Sequence, residues 1–206
     1  MLVLASASPR RQDLLRGAGI SFVVQPADVD ETPLAGELAC DCAERLAREK
    51  AIAVWQKRPH DVVLGADTVV VVDQTLLAKP SDADDAARML RMLTGRVHQV
   101  ITGVCLVKPG ARGQGGGVGR IGARMNSALD NSYTRTASET TLVTMSEISD
   151  QEIRDYVATG EPMDKAGAYA IQGIASRWIP RIEGDYSNVV GLPVALVFRM
   201  LREEVR

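Results

Sequence analysis

The chain reads as an α/β or α+β fold with helices packed on a mixed sheet, and three observations predict it. Short β-rich runs alternate with amphipathic stretches from the first residues onward. Connections between these runs include both hairpin-like and crossover-like lengths, which a sheet with parallel and antiparallel pairs requires. Hydrophobic residues make up 46% of the 206 positions, enough for one sizeable core, or a core with a smaller lobe, in a single unit spanning 1–206.

The elements follow in order. "LVLA" and "SFVV" read as strands on either side of a first helix. Ser8 is the natural N-cap of that helix, Pro9 fits its first position, and Gly17 or Gly19 ends it. A long helix runs from about Leu38 to Gln56, with Leu38, Cys42, Leu46 and Ala53 on its apolar side. "DVVLGADTVVVVD" is either one strand with a bulge at Gly65 to Asp67 or two strands with a turn there. Ser81 caps a third helix with Asp84 at its third position, and Gly95 ends it. "VHQVITGVCLV" is the longest strand. Ser149 and Glu152 form a capping box ahead of a helix ending at Gly160, and a last amphipathic helix starts at Pro193.

Composition narrows the chemistry. A net charge of −2 provides no global basic field for nucleic acid or membrane surfaces, so an anion site has to be local. The opening apolar segment is brief, its arginines follow it, and no run reaches membrane-spanning length; the expectation is a soluble, cytoplasmic protein. Cys40, Cys42 and Cys105 lack the spacing of a zinc site and read as reduced packing residues. With only His60 and His98 present, any metal has to be held by carboxylates, which points to Mg²⁺ or Mn²⁺.

One segment, about 109–138, is rich in glycine and serine and reads as a loop joining two strands. It contains "GVGRIG", a formal GxGxxG, but no convincing strand and helix flank it, so no dinucleotide site is assigned.

Four polar clusters carry the candidate chemistry. Arg10 and Arg11 fall at the second and third positions of the first helix, where the dipole disfavours a cation by about 0.3–1 kcal/mol. With the free N–H groups of that helix end they make an anion trap, or else they are simply solvated. Asp28, Asp30 and Glu31 in "DVDETP" can hold a hard cation, or form a solvated acidic loop. Asp67 in "GADT", between two apolar runs, suits a base or a metal ligand, or a structural turn. Lys50, Lys79, Lys165 and Gln172 lie outside the expected apolar stripes; together with the arginines they could cover several phosphates, with Gln172 reading a base edge. A polyphosphate substrate explains both signs of charge. No GxxxxGK[ST] loop is present, which disfavours a standard P-loop ATPase or GTPase design, and no well-supported Ser or Cys nucleophile with a base partner is found, so the expected nucleophile is water.

"LASASPRRQDLL", "RLAREKA", "LGADTVV", "KPSDADDAARMLRMLTGRVHQVITGV", "YVATGEPMDKAGAYAIQG" and "GDYSNVVGLP", in this order, resemble the Maf family of nucleoside triphosphate pyrophosphatases. The resemblance implies a long, twisted mixed sheet flanked by helices, with two lobes around a cleft, as in inosine triphosphate pyrophosphatases. It also implies cleavage between the α and β phosphates, a divalent metal (Mg²⁺ or Mn²⁺) and a homodimer, with no nucleic-acid or membrane partner. On this basis Asp67 matches the catalytic proton acceptor, Ser6, Arg10, Arg11, Lys50 and Lys79 match phosphate-site positions, and Glu31, with Asp67, lies at the metal. Arg10, Thr68 and Gln172 match the subgroup hydrolysing dTTP and UTP, with CTP and modified pyrimidine nucleotides as further candidates. The subgroup for methylated GTP would carry an aromatic residue, Gln and Glu at these three positions. Maf-like proteins are also linked to inhibition of septum formation, which leaves a nucleotide-binding regulator as the alternative, and a metal-dependent phosphomonoesterase is a third reading.

Overall fold

A computed structural model describes residues 1–110 and 132–202. The strands are β1 (Leu2–Leu4), β2 (Val23–Val24), β3 (Val62–Val72), β4 (Thr75–Leu77), β5 (Val97–Pro109), β6 (Ser132–Thr144) and β7 (Arg181–Glu183). The helices are α1 (Pro9–Gly17), α2 (Ala39–Trp55), α3 (Ala83–Leu93), α4 (Asp150–Ala158), α5 (Tyr186–Val190) and α6 (Val194–Arg202), with three 3₁₀ turns between α4 and β7. The strands form one mixed sheet in the order β2-β1-β3-β5-β6-β7, with β4 also on β3.

Local signals place several elements well. Ser8 caps α1 by accepting from the Arg11 N–H, with Pro9 at the first position, so Arg10 and Arg11 do occupy the second and third. Both halves of the Ser149–Glu152 capping box are made in α4. Other expectations shift. The cap of α3 is Asp82, which accepts from the Asp85 N–H, one residue beyond Ser81. Leu38 stands outside α2 at its N-cap and is 70% exposed, and the buried stripe instead runs Cys42, Leu46, Lys50, Val54 beside Ala43, Ala47 and Ala51. Only Val23–Val24 of "SFVV" pairs as strand. Ser132–Ser138, expected in a loop, belong to β6 and pair antiparallel with β5 up to Pro109 opposite Ser132. The rest of that loop, including "GVGRIG", lies outside the described residues.

Between the two readings of "GADT", the structure selects neither turn nor bulge. From Val63 opposite Val107 to Val71 opposite Gln99, β3 pairs with β5 without a skipped residue. Gly65 serves a different purpose. A Cβ there would lie 2.1 Å from the Ala47 carbonyl oxygen, and one on Gly103 of β5 would lie 2.3 Å from that of Ala43. These two glycines, with the small alanines facing them, let the backbone of α2 rest directly on the sheet.

The far face of the sheet carries two separate apolar clusters. One gathers Leu4, Leu64, Ala66, Val104 and Leu106 with Leu15 of α1 and Leu196, Val197 and Met200 of α6. The other gathers Val70, Val72 and Val100 with α3, α4, Tyr156, Tyr169 and Trp178. On the edge of β3 opposite β5, β1 pairs in parallel with Val62–Leu64 and β4 antiparallel with Val70–Val72. The edge from Gly65 to Val69 meets no strand among the described residues. This gap divides the fold into two lobes and opens a cleft at the middle of its central strand.

Gly65→Ala forces α2 off the sheet and should lower stability by about 1–3 kcal/mol, read as a lower urea midpoint. A neutral effect would refute direct seating. His98, buried on β5 with Nε2 2.8 Å from the Tyr169 hydroxyl, gives a pH signature. Burial lowers its pKa from 6.5 to about 4. The unfolded chain therefore binds a proton first as pH falls, so stability is lost between about pH 6.5 and 4, by about 3 kcal/mol in full. In His98→Phe, urea titrations should show this part of the acid limb flattened.

Candidate active site

The cleft at the β3 gap encloses about 400 Å³, the size of a small-ligand site. Ser6, Arg10, Arg11, Glu31, Lys50, Asp67, Thr68, Lys79, Lys165 and Gln172 all line it, so residues from distant parts of the chain converge there. Asp28 and Asp30 do not. Asp30 instead accepts from the N–H and hydroxyl of Thr32, closing a local turn in the exposed loop.

The floor of the cleft is ionic. Strand alternation puts Asp67 on the face of β3 that carries α2, two residues beyond Gly65. The close seat of α2 brings Lys50, 6% exposed, to 2.6 Å from Asp67 Oδ1. Lys50 Nζ is also 2.6 Å from Glu31 Oε1, and Glu31 Oε2 accepts from Lys79 at 2.7 Å. The result is a chain of alternating charges, Asp67, Lys50, Glu31, Lys79, running from the buried floor to the rim. Partial burial alone would raise the Glu31 carboxyl, but hydrogen bonds from Lys50 and Lys79 outweigh it and hold the pKa at about 2. Lys50 thus belongs to the buried stripe of α2 and not, as its sequence context suggested, to a polar face; its ammonium reaches out of that stripe to two carboxylates.

Thr68 points to the opposite face, between the two apolar clusters, and its hydroxyl is engaged there. It accepts from Arg11 Nη2 at 3.1 Å and lies 2.9 Å from the Thr102 hydroxyl. Thr102 donates onward to the Asn188 carbonyl at 3.1 Å, so the proton between the two threonines comes from Thr68. Arg11 is fixed on all sides: Nε donates to the Gly191 carbonyl at 2.7 Å and Nη1 to Ser6 Oγ at 3.1 Å. Ser6 in turn accepts from the Ser8 N–H at 3.2 Å. Burial lowers the Arg11 pKa from its ordinary value, an effect opposed by the charges of Asp67 and Glu31. Arg10 points across the mouth to Asp164, at 3.3 Å, and Lys165 donates to Asp164 at 2.5 Å and to the Glu161 carbonyl at 2.6 Å. Gln172 sits at the far rim, exposed, in the segment between the second and third 3₁₀ turns.

The sequence reading missed Gly65 and Gly103 as the seat of α2, and Asn188. The Asn188 amide donates to the Val100 carbonyl and the Thr141 hydroxyl, anchoring the α5 segment that presents Gly191 to Arg11. In "GDYSNVVGLP" the signal is slight: Asn188 closes a polar stretch directly ahead of Val189 and Val190.

No group of three or more His, Cys, Asp or Glu side chains gathers for a metal among the described residues. What the site does offer is two carboxylates meeting around one ammonium. Such a pair fits a hard cation whose remaining ligands come from phosphate oxygens. No helix among the described residues is long and apolar enough to cross a membrane.

Comparison with known proteins agrees with this architecture. The profile of the family described as "Maf-like protein" matches residues 1–204. A Koribacter versatilis protein named dTTP/UTP pyrophosphatase is 54% identical over 201 residues, 98% of this chain and 93% of the relative. Proteins of the same name from Syntrophomonas wolfei and Symbiobacterium thermophilum are each 46% identical, covering 96% and 98% of this chain and 94% and 93% of their own. With near-complete coverage in both directions, the chain belongs to the Maf family.

Proposed function

We propose that this chain hydrolyses dTTP and UTP, and related pyrimidine nucleotides, to the nucleoside monophosphate and pyrophosphate, a house-cleaning activity on nucleotides. The observation that carries the reading is the alternating-charge floor at the β3 gap, with cations on both walls and an amide at the far rim. The names of the relatives, which cover nearly the whole chain, support the same activity.

The residues divide the work. The Arg10 N–H at the start of α1, with the side chains of Arg10, Arg11 and Ser6, forms an anion-binding wall; charge-assisted hydrogen bonds of about 1.5–3 kcal/mol each outweigh the dipole cost of placing arginines there. Thr68 contributes by holding Arg11 in one orientation. Lys50 and Lys79 steady the phosphates and the pyrophosphate that leaves. Asp67, a carboxylate at the buried floor, is the proton acceptor for the attacking water. Glu31 and Asp67 would hold Mg²⁺ or Mn²⁺ together with phosphate oxygens, and the metal would draw charge from the triphosphate. Gln172 reads the base: an amide both donates and accepts, as a pyrimidine O4/N3 edge demands, whereas a carboxylate suits the N–H donors of guanine. A homodimer and a cytoplasmic location complete the proposal.

Asp67→Asn should cut kcat on dTTP by at least about 10²-fold while the fold and dTTP binding are retained; Glu31 still pairs with Lys50, so losing the Asp67 charge lowers the melting temperature without unfolding the chain. Near-normal turnover would remove Asp67 from the chemistry. Separating pyrophosphate from inorganic phosphate after incubation with dTTP and Mg²⁺ tests the bond cleaved: phosphate as the first product indicates a monoesterase, and no product a regulator that only binds nucleotide. Gln172→Glu should lower kcat/KM for dTTP and UTP by about tenfold or more without a matching loss of stability.

A further inference from the structure

The segment that carries Gln172 has little regular structure of its own, yet a base-reading amide needs a fixed backbone. Two side chains from outside the segment supply it. Tyr156, buried on α4, receives the N–H of Ala170 on its hydroxyl oxygen at 3.2 Å. The same hydroxyl donates to Glu161 Oε1 at 2.8 Å. Glu161 then accepts the N–H of Ile174, at 3.1 Å on Oε1 and 3.2 Å on Oε2. The two hydrogen-bonded amides flank Gln172 at equal distance, two residues before it and two after. Inside the loop, the Gly173 N–H closes onto the Ala170 carbonyl at 3.0 Å.

Packing makes this bracket specific. A Cβ on Gly173 would lie 2.2 Å from Glu161 Oε1, so the backbone beside Gln172 touches the carboxylate directly. Glu161 is aimed at the loop because the chain reverses after α4 through Gly160, at φ +75°. The Tyr156 ring is held from the other side by an edge contact with Trp178, with centroids 5.4 Å apart. Neither Tyr156 nor Glu161 is among the residues lining the cleft, so neither touches a nucleotide there.

We infer that Tyr156 and Glu161 are positioning residues for nucleobase discrimination: their hydroxyl–carboxylate pair brackets the Ala170–Ile174 loop and sets where the Gln172 amide meets the base. The inference rests on the reading of Gln172 as the base-recognition residue. It predicts a loss of selectivity and not of chemistry, because the phosphate site and Asp67 lie on other elements.

The test compares Tyr156→Phe and Glu161→Gln with Gln172→Ala, measuring kcat and KM on dTTP and on dGTP with Mg²⁺, alongside melting temperatures. In Tyr156→Phe the dTTP:dGTP ratio of kcat/KM should fall about tenfold, through a raised KM for dTTP with kcat nearly unchanged. Glu161→Gln, which keeps an acceptor but loses the charge, should lose less. Adding Tyr156→Phe to Gln172→Ala should narrow the ratio no further, since both act through one amide. If Gln172→Ala narrows the ratio while both bracket variants preserve it, the bracket is overturned and the base-reading role stands. Equal losses on both nucleotides would make the pair merely structural and overturn the inference as well. An unchanged ratio in Gln172→Ala itself would remove the base-reading role, and the inference with it.

Discussion

The contact between the backbone of α2 and the centre of the sheet is the constraint on which the rest of this molecule depends. Gly65 and Gly103 lie on neighbouring strands under Ala47 and Ala43, and neither has room for a single added carbon. At that separation Lys50, one turn along from Leu46 on the buried stripe, reaches Asp67 at 2.6 Å. A helix held farther away by ordinary side chains would leave the Asp67 carboxylate and the Lys50 ammonium each without its buried counter-charge, which costs far more than the close packing. The same contact therefore fills the core and assembles the floor of the cleft.

The cleft has its origin in strand pairing. A fully covered β3 would bury the peptide edge at Gly65 to Val69. Because β1 ends at Leu4, opposite Leu64, and β4 reaches along β3 only as far as Val70, opposite Leu77, that edge opens into a cavity, and the apolar cores on the far face separate to either side of it. Residues that alternate along one strand then serve different walls. Asp67 joins the ionic floor beneath α2, while Thr68 turns toward Arg11 and the α5 segment.

Charge placement at the start of α1 follows the same logic. Two arginines in the first turn oppose the helix dipole, but the conflict is small and local. Arg11 is compensated by three hydrogen bonds from its guanidinium, one of them to a carbonyl 180 residues away, and Arg10 by Asp164 across the mouth. With triphosphate as the substrate, as proposed above, the unfavourable pairing of arginine and helix terminus becomes an asset, since both poles attract the same ligand.

Local physics made some of this legible from the amino-acid order alone. The start of α1, the Ser149–Glu152 box, the alternation of strands and helices, and the selection of Arg10, Arg11, Asp67 and the lysines as candidates for one charged site all depend on neighbours a few positions apart or on residue chemistry. The tertiary structure decided the rest. A glycine that could equally start a turn became the seat of a helix; a lysine flanked by charged residues became buried; the cap of α3 moved to Asp82; and the last seven residues of the expected loop, Ser132–Ser138, became part of β6. The brackets around Gln172 were invisible for the same reason, since Tyr156 and Glu161 matter only once α4 reverses and brings their oxygens to the Ala170 and Ile174 amides. Capping and periodicity are properties of a single segment, whereas burial, close approach and the pairing of charges exist only between segments that the fold has brought together.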